Sequence, residues 1–157
     1  MLAHSPKIAY ARPMEHMTSQ SREETLPRGK ELALVFKPGT LVTFTGDLGA
    51  GKTTLIQGIL EGLGALPPYP SPTFVLMNQY ELAEPKVTGI ARVYHADAYR
   101  LGAPDFERLG FTEWCADSEG VVLLEWPGRI EGILPEKRIE ITLKSISETE
   151  REIHMKE

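Results

Sequence analysis

The spacing of apolar residues along this chain distinguishes predicted strands from predicted helices. Strands show alternating or continuous apolar residues, and helices show apolar residues three or four positions apart. Residues 121–124, Val-Val-Leu-Leu, are continuously apolar, which is typical of a parallel strand buried on both faces. Residues 139–143 alternate between apolar and polar, as in a half-buried strand, and the last strand is expected to pair with them. Six strands are predicted in all, at residues 41–45, 74–80, 92–98, 121–126, 139–143 and 151–155.

Helical spacing of apolar residues occurs in three segments between those strands. One helix is predicted over 52–63, where glycines close the last turn, and one or two short helices between 104 and 117. An earlier helix includes 31–36, and its start stays open: Ser21 begins a capping-box sequence, whereas Pro27 favours the first helical turn. Because few helices separate the strands, the pattern predicts an α/β domain with a mixed, partly parallel central sheet.

Chain length and the N-terminal segment define the predicted domain organisation. At 157 residues the chain fits one domain, which buries an ordinary core without disulfides or metal. Residues 1–18 contain no continuous apolar stretch of signal-peptide length and are predicted to be a disordered leader, which leaves 19–157 as a single domain. Within that domain, residues 66–73 (LPPYPSPT) are predicted to form a stiff loop, because proline fixes φ.

The sequence GDLGAGKTT, residues 46–54, lies between a predicted strand and a predicted helix. It satisfies the pattern G-x-x-x-x-G-K-[ST], in which main-chain N–H groups and the positive end of the following helix surround a phosphate. Lys52 is then predicted to bridge the β- and γ-phosphates, and the Thr53 hydroxyl to bind Mg²⁺. The alternative is a glycine-rich turn with an exposed lysine. Because the strand–helix context fits, we predict a P-loop NTPase-like fold with three layers.

Two acidic residues follow predicted strands, where a site for a nucleotide and its metal needs a carboxylate. Glu125 comes directly after Val-Val-Leu-Leu, and Asp97 ends the strand that carries His95 on the same face. Ligands of open α/β sheets bind beyond the carboxyl ends of the strands, so both acids are candidates for holding Mg²⁺ or positioning water. A solvated strand end is the alternative for either, and the sequence does not decide which acid orients the water.

Other side chains near these motifs have two interpretations each. Thr73, at the end of the proline-rich loop, either presents its hydroxyl to Mg²⁺ or the γ-phosphate or simply starts a strand, and composition alone favours the strand. His95 is interpreted as a structural histidine, since the four histidines show no metal-binding spacing. Trp126 is either part of the core or a lid over the site. Arg100 and Arg129 flank the acids and either bind phosphate or a partner's carboxylate or are solvated charges, and the second interpretation is favoured.

Charge and composition argue against several classes of protein. The net charge of −5 disfavours a broad basic surface for DNA or RNA and makes strong, direct tRNA binding the less favoured option. The single cysteine rules out an internal disulfide framework and suits a reducing cytoplasm. The longest apolar runs are too short to span a bilayer, so no membrane is expected. With one asparagine, the chain lacks the N-K-x-D guanine-binding motif of GTPases, and ATP is the expected nucleotide.

Taken together, these motifs resemble the TsaE (YjeE) family of small bacterial P-loop ATPases. The resemblance rests on four segments in order: GDLGAGKTT (46–54), SPTF (71–74), YHADAYRL (94–101) and LLEWPGRIEGILP (123–135). It implies an ATPase that works with the TsaB and TsaD proteins in making threonylcarbamoyladenosine at position 37 of tRNA. It further implies that ATP hydrolysis resets that complex, so that so short a chain needs no second substrate site.

The resemblance also implies roles for individual residues. The implied catalytic residues are Lys52, Thr73, Asp97 and Glu125, and the implied Mg²⁺ ligands are Thr53, Glu125 and Asp97. The implied ATP-binding residues are Thr25, Leu48, Gly49, Ala50, Gly51, Lys52, Thr53, Thr54 and Trp126. Among these, Thr25 rests on a weak match, in which Thr25 and Gly29 resemble an N-terminal T-x-x-x-G segment of the family. The chain departs from the family at Phe74, where tyrosine is usual, and at Ala96 and Ala98, where bulkier apolar residues are usual.

Two other functions remain open on the residues alone. A small-molecule kinase needs an acceptor pocket and usually an arginine-bearing lid, and the sequence shows no arginine cluster. An ATP-gated binding module without catalysis would use Glu125 only to hold Mg²⁺. An ATPase that drives a partner complex is the favoured hypothesis, and its hydrolysis is expected to be slow without the partner.

Overall fold

A seven-stranded mixed sheet organises the part of the chain that the computed structural model describes, residues 15–84 and 88–157. The elements in chain order are β1 (His16–Ser19), α1 (Arg22–Ala33), β2 (Thr40–Thr45), α2 (Lys52–Leu63), β3 (Met77–Glu81), β4 (Arg92–Asp97), α3 (Ala103–Leu109), α4 (Phe111–Ala116), β5 (Gly120–Glu125), a 3₁₀ segment (Pro127–Ile133), β6 (Ile139–Ser145) and β7 (Arg151–Lys156). The strand order is β1-β7-β6-β2-β5-β4-β3. Strands β6, β2, β5 and β4 run parallel, and β1, β7 and β3 are antiparallel to their neighbours.

Helices cover both faces of the sheet because the side chains of each strand alternate between two apolar clusters. Val42 and Phe44 of β2 are buried in the cluster that contains α1 and α2. Leu41 of the same strand lies in the other cluster, with Phe106 of α3 and Trp114 of α4. The predicted α/β fold with three layers and a mixed, partly parallel sheet is therefore confirmed. No helix among the described residues is long and apolar enough to cross a membrane.

Helices α1 and α2 touch each other backbone to backbone through glycines. A Cβ atom built on Gly29 would lie 2.3 Å from the carbonyl oxygen of Leu55, and one built on Gly58 would lie 2.2 Å from that of Leu26. No side chain fits at those distances, so the close approach of the two helices requires glycine at both positions. The contact fixes α2 against α1, and α2 carries Lys52 at its first position.

The structure decides between the two predicted starts of α1. The Ser21 hydroxyl oxygen accepts the Glu24 N–H at 3.2 Å, and the Glu24 carboxylate accepts the Gln20 N–H at 2.6 Å. The helix therefore begins at the cap formed by Ser21, and Pro27 lies inside it. Its predicted extension over 31–36 is wrong beyond residue 33, because the chain leaves the helix there to enter the turn before β2.

Two other predictions are in error by three residues, whereas the remaining predicted strand ends lie within two residues of the observed ones. The strand predicted at 74–80 begins only at Met77, because the N–H of Leu76 donates to the carbonyl of Pro72 at 2.7 Å and closes a turn. The predicted disordered leader, 1–18, is wrong for residues 16–18, which form β1 by pairing with β7. Residues 1–14 of that leader lie outside the described residues.

Candidate active site

The candidate site lies at the carboxyl ends of the parallel strands, around residues 46–53, a glycine-rich loop that follows β2 and includes the first two residues of α2. Two glycines of this loop are required by geometry. Gly51, at the start of α2, has φ +97°, a left-handed conformation that L side chains rarely adopt. At Gly46 an added Cβ would lie 2.6 Å from the carbonyl oxygen of Leu143. The loop is therefore held against β6 while it turns into α2.

The main-chain N–H groups of the loop form a cluster of donors. Of residues 48–53, only Ala50 donates its N–H to another main-chain group of the described chain, the carbonyl of Asp47 at 3.0 Å. The remaining N–H groups surround the N-terminus of α2, where the helix dipole adds partial positive charge. Such an arrangement suits an anion the size of a phosphate, and this is the local fit that the sequence motif predicts.

Lys52 supplies the positive side chain of the loop and is only 6% exposed. Its ammonium donates to the carbonyl oxygens of Gly46 and Asp47 and lies 4.3 Å from the centroid of the Trp126 ring. Burial lowers the pKa of Lys52, and the negative charges of Glu125, Asp47 and Asp97 oppose that shift. A phosphate oxygen offers this ammonium a stronger acceptor than the two loop carbonyls, because hydrogen bonds between charged groups are the stronger ones.

The two acids predicted at strand ends lie side by side. Asp97 of β4 is the register partner of Glu125 of β5, and the two residues are 5% and 4% exposed. Both carboxylate oxygens of Asp97 accept hydrogen bonds: the Thr73 hydroxyl donates to one at 3.2 Å, and the Tyr99 N–H donates to the other at 2.8 Å. The structure thus brings together Thr73, Asp97 and Glu125, which the sequence predicts as parts of one site.

His95 fixes the orientation of Glu125. Its Nε2 lies 2.8 Å from Oε1 of Glu125, and both side chains are almost fully buried. Opposite an ionised carboxylate, which only accepts hydrogen bonds, this contact requires the proton of the His95 ring to be on Nε2. Nδ1 of His95 has no hydrogen-bond partner among the described residues. The prediction of a structural histidine holds for its burial, but the contact with Glu125 was not predicted.

Aromatic rings line the site beside the two acids. Trp126 follows β5 directly and has φ +58°, a left-handed conformation that is costly for a bulky residue and that is concentrated at functional sites. Its ring is half-buried and lies 5.0 Å from that of Tyr99. Arg129 stacks on Tyr99 at 5.3 Å, and Arg100 lies 4.8 Å from the centroid of Phe74. Both arginines are exposed, as predicted for solvated charges, and each also contacts an exposed aromatic ring.

Thr25 is placed differently from the other predicted nucleotide-binding residues. It is 2% exposed, and its hydroxyl lies 2.6 Å from that of Ser19 and donates to the carbonyl of Ser21 at 3.1 Å. Gly29, the second residue of the weak T-x-x-x-G match, lies in the helix contact described above. These two residues thus have structural roles in the fold, and a nucleotide contact of Thr25 stays a prediction.

Sequence reasoning missed Arg151, which begins β7 next to the glycine-rich loop. Its guanidinium donates to four carbonyl oxygens, those of Ser147 (2.8 Å), Glu150 (2.9 Å), Glu148 (3.2 Å) and Gly49 (3.4 Å). The residue ties the β6–β7 turn to the loop. Only the strand order could have revealed it, because β6 lies beside β2 and brings this turn to the same edge of the sheet.

Comparison with known proteins agrees with this geometry. The family model described as "Threonylcarbamoyl adenosine biosynthesis protein TsaE" matches residues 19–153. The chain belongs to the TsaE family. Every candidate residue from Thr25 to Arg151 lies inside the matched region, and the family resemblance inferred from the four motifs is confirmed.

Individual TsaE relatives match over most of their length. A protein of Bacillus subtilis (strain 168), named tRNA threonylcarbamoyladenosine biosynthesis protein TsaE, is 41% identical over 131 residues, which cover 83% of this chain and 78% of the relative. A protein of the same name from Treponema pallidum (strain Nichols) is 35% identical, over 86% of this chain and 95% of the relative. The crystal structure of YdiB from Bacillus subtilis matches with a TM-score of 0.72 and 35% identity, covering 89% of this chain and 82% of that one.

Proposed function

We propose that this chain is a Mg²⁺-dependent ATPase of the cytoplasm that serves threonylcarbamoyladenosine synthesis on tRNA together with TsaB and TsaD proteins. Membership of the TsaE family and the names of its relatives support a role in the tRNA modification. One observation supports the proposed ATPase activity most directly. The buried ammonium of Lys52, inside a loop rich in N–H donors, faces the buried carboxylates of Glu125 and Asp97. A phosphate-binding cation and adjacent metal-binding carboxylates are what phosphoryl transfer requires.

The binding of ATP is assigned to the loop and the residues around it. N–H groups of residues 48–54 would bind the β-phosphate, and the ammonium of Lys52 would bind the γ-phosphate. The side chain of Trp126, already in contact with the Lys52 ammonium, covers that region. Thr25 is kept as a predicted nucleotide contact, which requires a rearrangement of its hydroxyl.

The residues present also fit a magnesium ion, because hard oxygen ligands are available at one edge of the sheet. The half-buried hydroxyl of Thr53 and the carboxylate of Glu125 would hold it, with Asp97 as the further ligand. An ion held by these oxygens would supply positive charge against the charge that develops on the phosphates during transfer. His95 keeps Glu125 in one orientation, and the Thr73 hydroxyl does the same for Asp97.

Partner proteins are assigned the remaining part of the chemistry. Arg100 and Arg129 contact aromatic rings, and the guanidinium of Arg151 donates to carbonyl oxygens. Among the described residues, Lys52 is the cation that the structure places at the loop, so hydrolysis without partners, with Lys52 and Mg²⁺ alone facing the γ-phosphate charge, should be slow. With a net charge of −5, the chain leaves tRNA binding mainly to its partners.

The test measures phosphate release from ATP by the chain alone, with small-molecule acceptors, and with purified TsaB and TsaD. Stimulation by the protein pair supports the proposal. Transfer of phosphate to a small acceptor would instead show a kinase, and ATP-dependent association without turnover would show a binding module.

Matched variants connect that activity to the site. Lys52→Ala should weaken ATP binding, and Glu125→Gln should reduce turnover more than ATP affinity measured without Mg²⁺. The controls Lys37→Ala and Glu136→Gln remove an exposed lysine and an exposed acid outside the site, and both should behave as wild type. Equal loss of turnover and of metal-free affinity in Glu125→Gln would contradict the role given to that carboxylate.

A further inference from the structure

The solvent face of the β1–β7 pair brings together two histidines from opposite ends of the chain. His16 of β1 is the direct register partner of His154 of β7. Glu152 lies two residues before His154 and therefore on the same face of the sheet. The intervening Ile153 is fully buried in the core, which confirms that the three polar side chains share the outer face.

The distances between these side chains match those of a metal-ligand set. Nε2 of His154 lies 3.3 Å from one carboxylate oxygen of Glu152, and Nε2 of His16 lies 3.9 Å from the other. One ligand atom from each of the three residues falls within 4.8 Å of the others. Two ligands each about 2.1 Å from a tetrahedral metal are about 3.4 Å apart, so only small side-chain rotations separate this arrangement from coordination.

We propose that His16, Glu152 and His154 form a binding site for one divalent transition-metal cation, with Zn²⁺ as the reference ion. Imidazole nitrogens suit Zn²⁺, Co²⁺, Ni²⁺ and Cu²⁺, whereas Mg²⁺ prefers oxygen ligands only. Three protein ligands leave a fourth coordination position open for water. Solvent can reach that position, because all three side chains are at least one-third exposed. The site is chemically distinct from the oxygen-rich cluster at the end of β5.

The cation would join the first and last strands of the described chain. β1 is an edge strand of only four residues, and such strands are weakly held. The next residues after it cap α1, since Ser19 contacts Thr25 and Ser21 begins the helix. An ion bound to β1 and β7 would therefore stabilise the edge strand and the helix start behind it, as any ligand that binds only the folded state does.

The first experiment follows Co²⁺ absorption and Zn²⁺ calorimetry on the full chain without nucleotide, in a large excess of Mg²⁺. We expect one Zn²⁺ per chain and visible Co²⁺ bands of a low-coordinate site. His16→Ala, Glu152→Ala and His154→Ala should each weaken Zn²⁺ binding on the order of 100-fold, since even outer-shell partners of metal ligands contribute 10–100-fold. Zn²⁺ should also raise the melting temperature of wild type but not of these variants.

Two controls separate this site from other metal-binding groups. His4→Ala removes a histidine outside the proposed set, and Cys115→Ser removes the one thiol. Both should bind Zn²⁺ as wild type does. Absence of Zn²⁺ binding to wild type, or equal binding by His154→Ala and wild type, would overturn the proposal.

A measurement on the wild-type chain tests the site without relying on variants, which could fail to fold. In nitrogen NMR spectra of the histidine rings, Zn²⁺ should shift the signals of His16 and His154 and leave those of buried His95 unchanged. Unshifted His16 and His154 signals at saturating Zn²⁺ would contradict the site whatever the variants show.

Discussion

The substitution Gly58→Ala tests the close contact between α1 and α2. The added Cβ would lie 2.2 Å from the main-chain oxygen of Leu26, about 1.2 Å closer than the 3.4 Å at which ordinary van der Waals contact begins. The obstructing atom belongs to the backbone of a helix and cannot rotate away. Relief therefore requires the two helices to separate, which moves α2 and the loop that precedes it.

Two opposing effects set the expected size of the change. Inserting a methyl group into a close-packed contact costs about 1–3 kcal/mol, and a backbone obstruction places this case near the upper end. Alanine has the higher helix propensity, which stabilises the folded state by about 1 kcal/mol relative to glycine. A net destabilisation of about 2 kcal/mol remains, equivalent to a melting temperature lower by about 4–8 °C for a domain of this size.

Urea unfolding followed by far-UV circular dichroism measures the difference directly. The matched control is Gly132→Ala in the 3₁₀ segment, where an added Cβ meets nothing within 4 Å and no positive φ opposes the change. The control should stay within about 0.5 kcal/mol of wild type, as surface substitutions usually do. If Gly58→Ala proves as stable as Gly132→Ala, the close helix contact does not constrain the position of α2.

Three further predictions concern single side chains. His95→Phe removes the hydrogen bond to Glu125 and should slow ATP hydrolysis about 10–100-fold, with a smaller change in ATP affinity measured without Mg²⁺. Burial raises the pKa of Cys115 to about 11, so alkylation by iodoacetamide at pH 8 should be about 100-fold slower in the folded than in the urea-unfolded chain. Hydrogen bonds from Arg92 hold the pKa of Asp117 well below its usual range, so Asp117→Asn should lower the melting temperature at pH 7.

The pH dependence of the last variant has a definite sign. A carboxyl group whose pKa is lower in the folded state stabilises the protein above its ordinary pKa, near 4, and loses that effect as the pH falls further. The difference in melting temperature between wild type and Asp117→Asn should therefore shrink between pH 4 and pH 2. A difference that stays constant over that range would contradict the ion pair with Arg92.

The positions of the candidate site residues could be predicted from the sequence where each residue directly follows or ends a recognisable strand. The loop of residues 46–53 and the acids Asp97 and Glu125 follow strands whose apolar pattern is unambiguous, and parallel strands bring their carboxyl ends to one edge. The predicted helix 52–63 matches α2 from first to last residue, because glycines define both of its ends.

What the sequence did not reveal depends on contacts between distant segments. β1 contains one buried apolar residue, Met17, and becomes a strand only because β7 pairs with it. The interaction of His95 with Glu125 and the carbonyl contacts of Arg151 need the strand order, which local periodicity does not contain. The juxtaposition of His16 and His154 is invisible for the same reason, since their spacing along the chain has no metal-binding pattern.

The most direct test of the proposed activity is a crystal structure of the chain grown with Mg²⁺ and a non-hydrolysable ATP analogue. The phosphates are expected inside the loop of residues 46–53 with Lys52 on the γ-phosphate, and Mg²⁺ between Thr53 and Glu125. A nucleotide bound elsewhere, or a loop without phosphate at saturating analogue, would contradict the assignment of this edge of the sheet as the ATPase site.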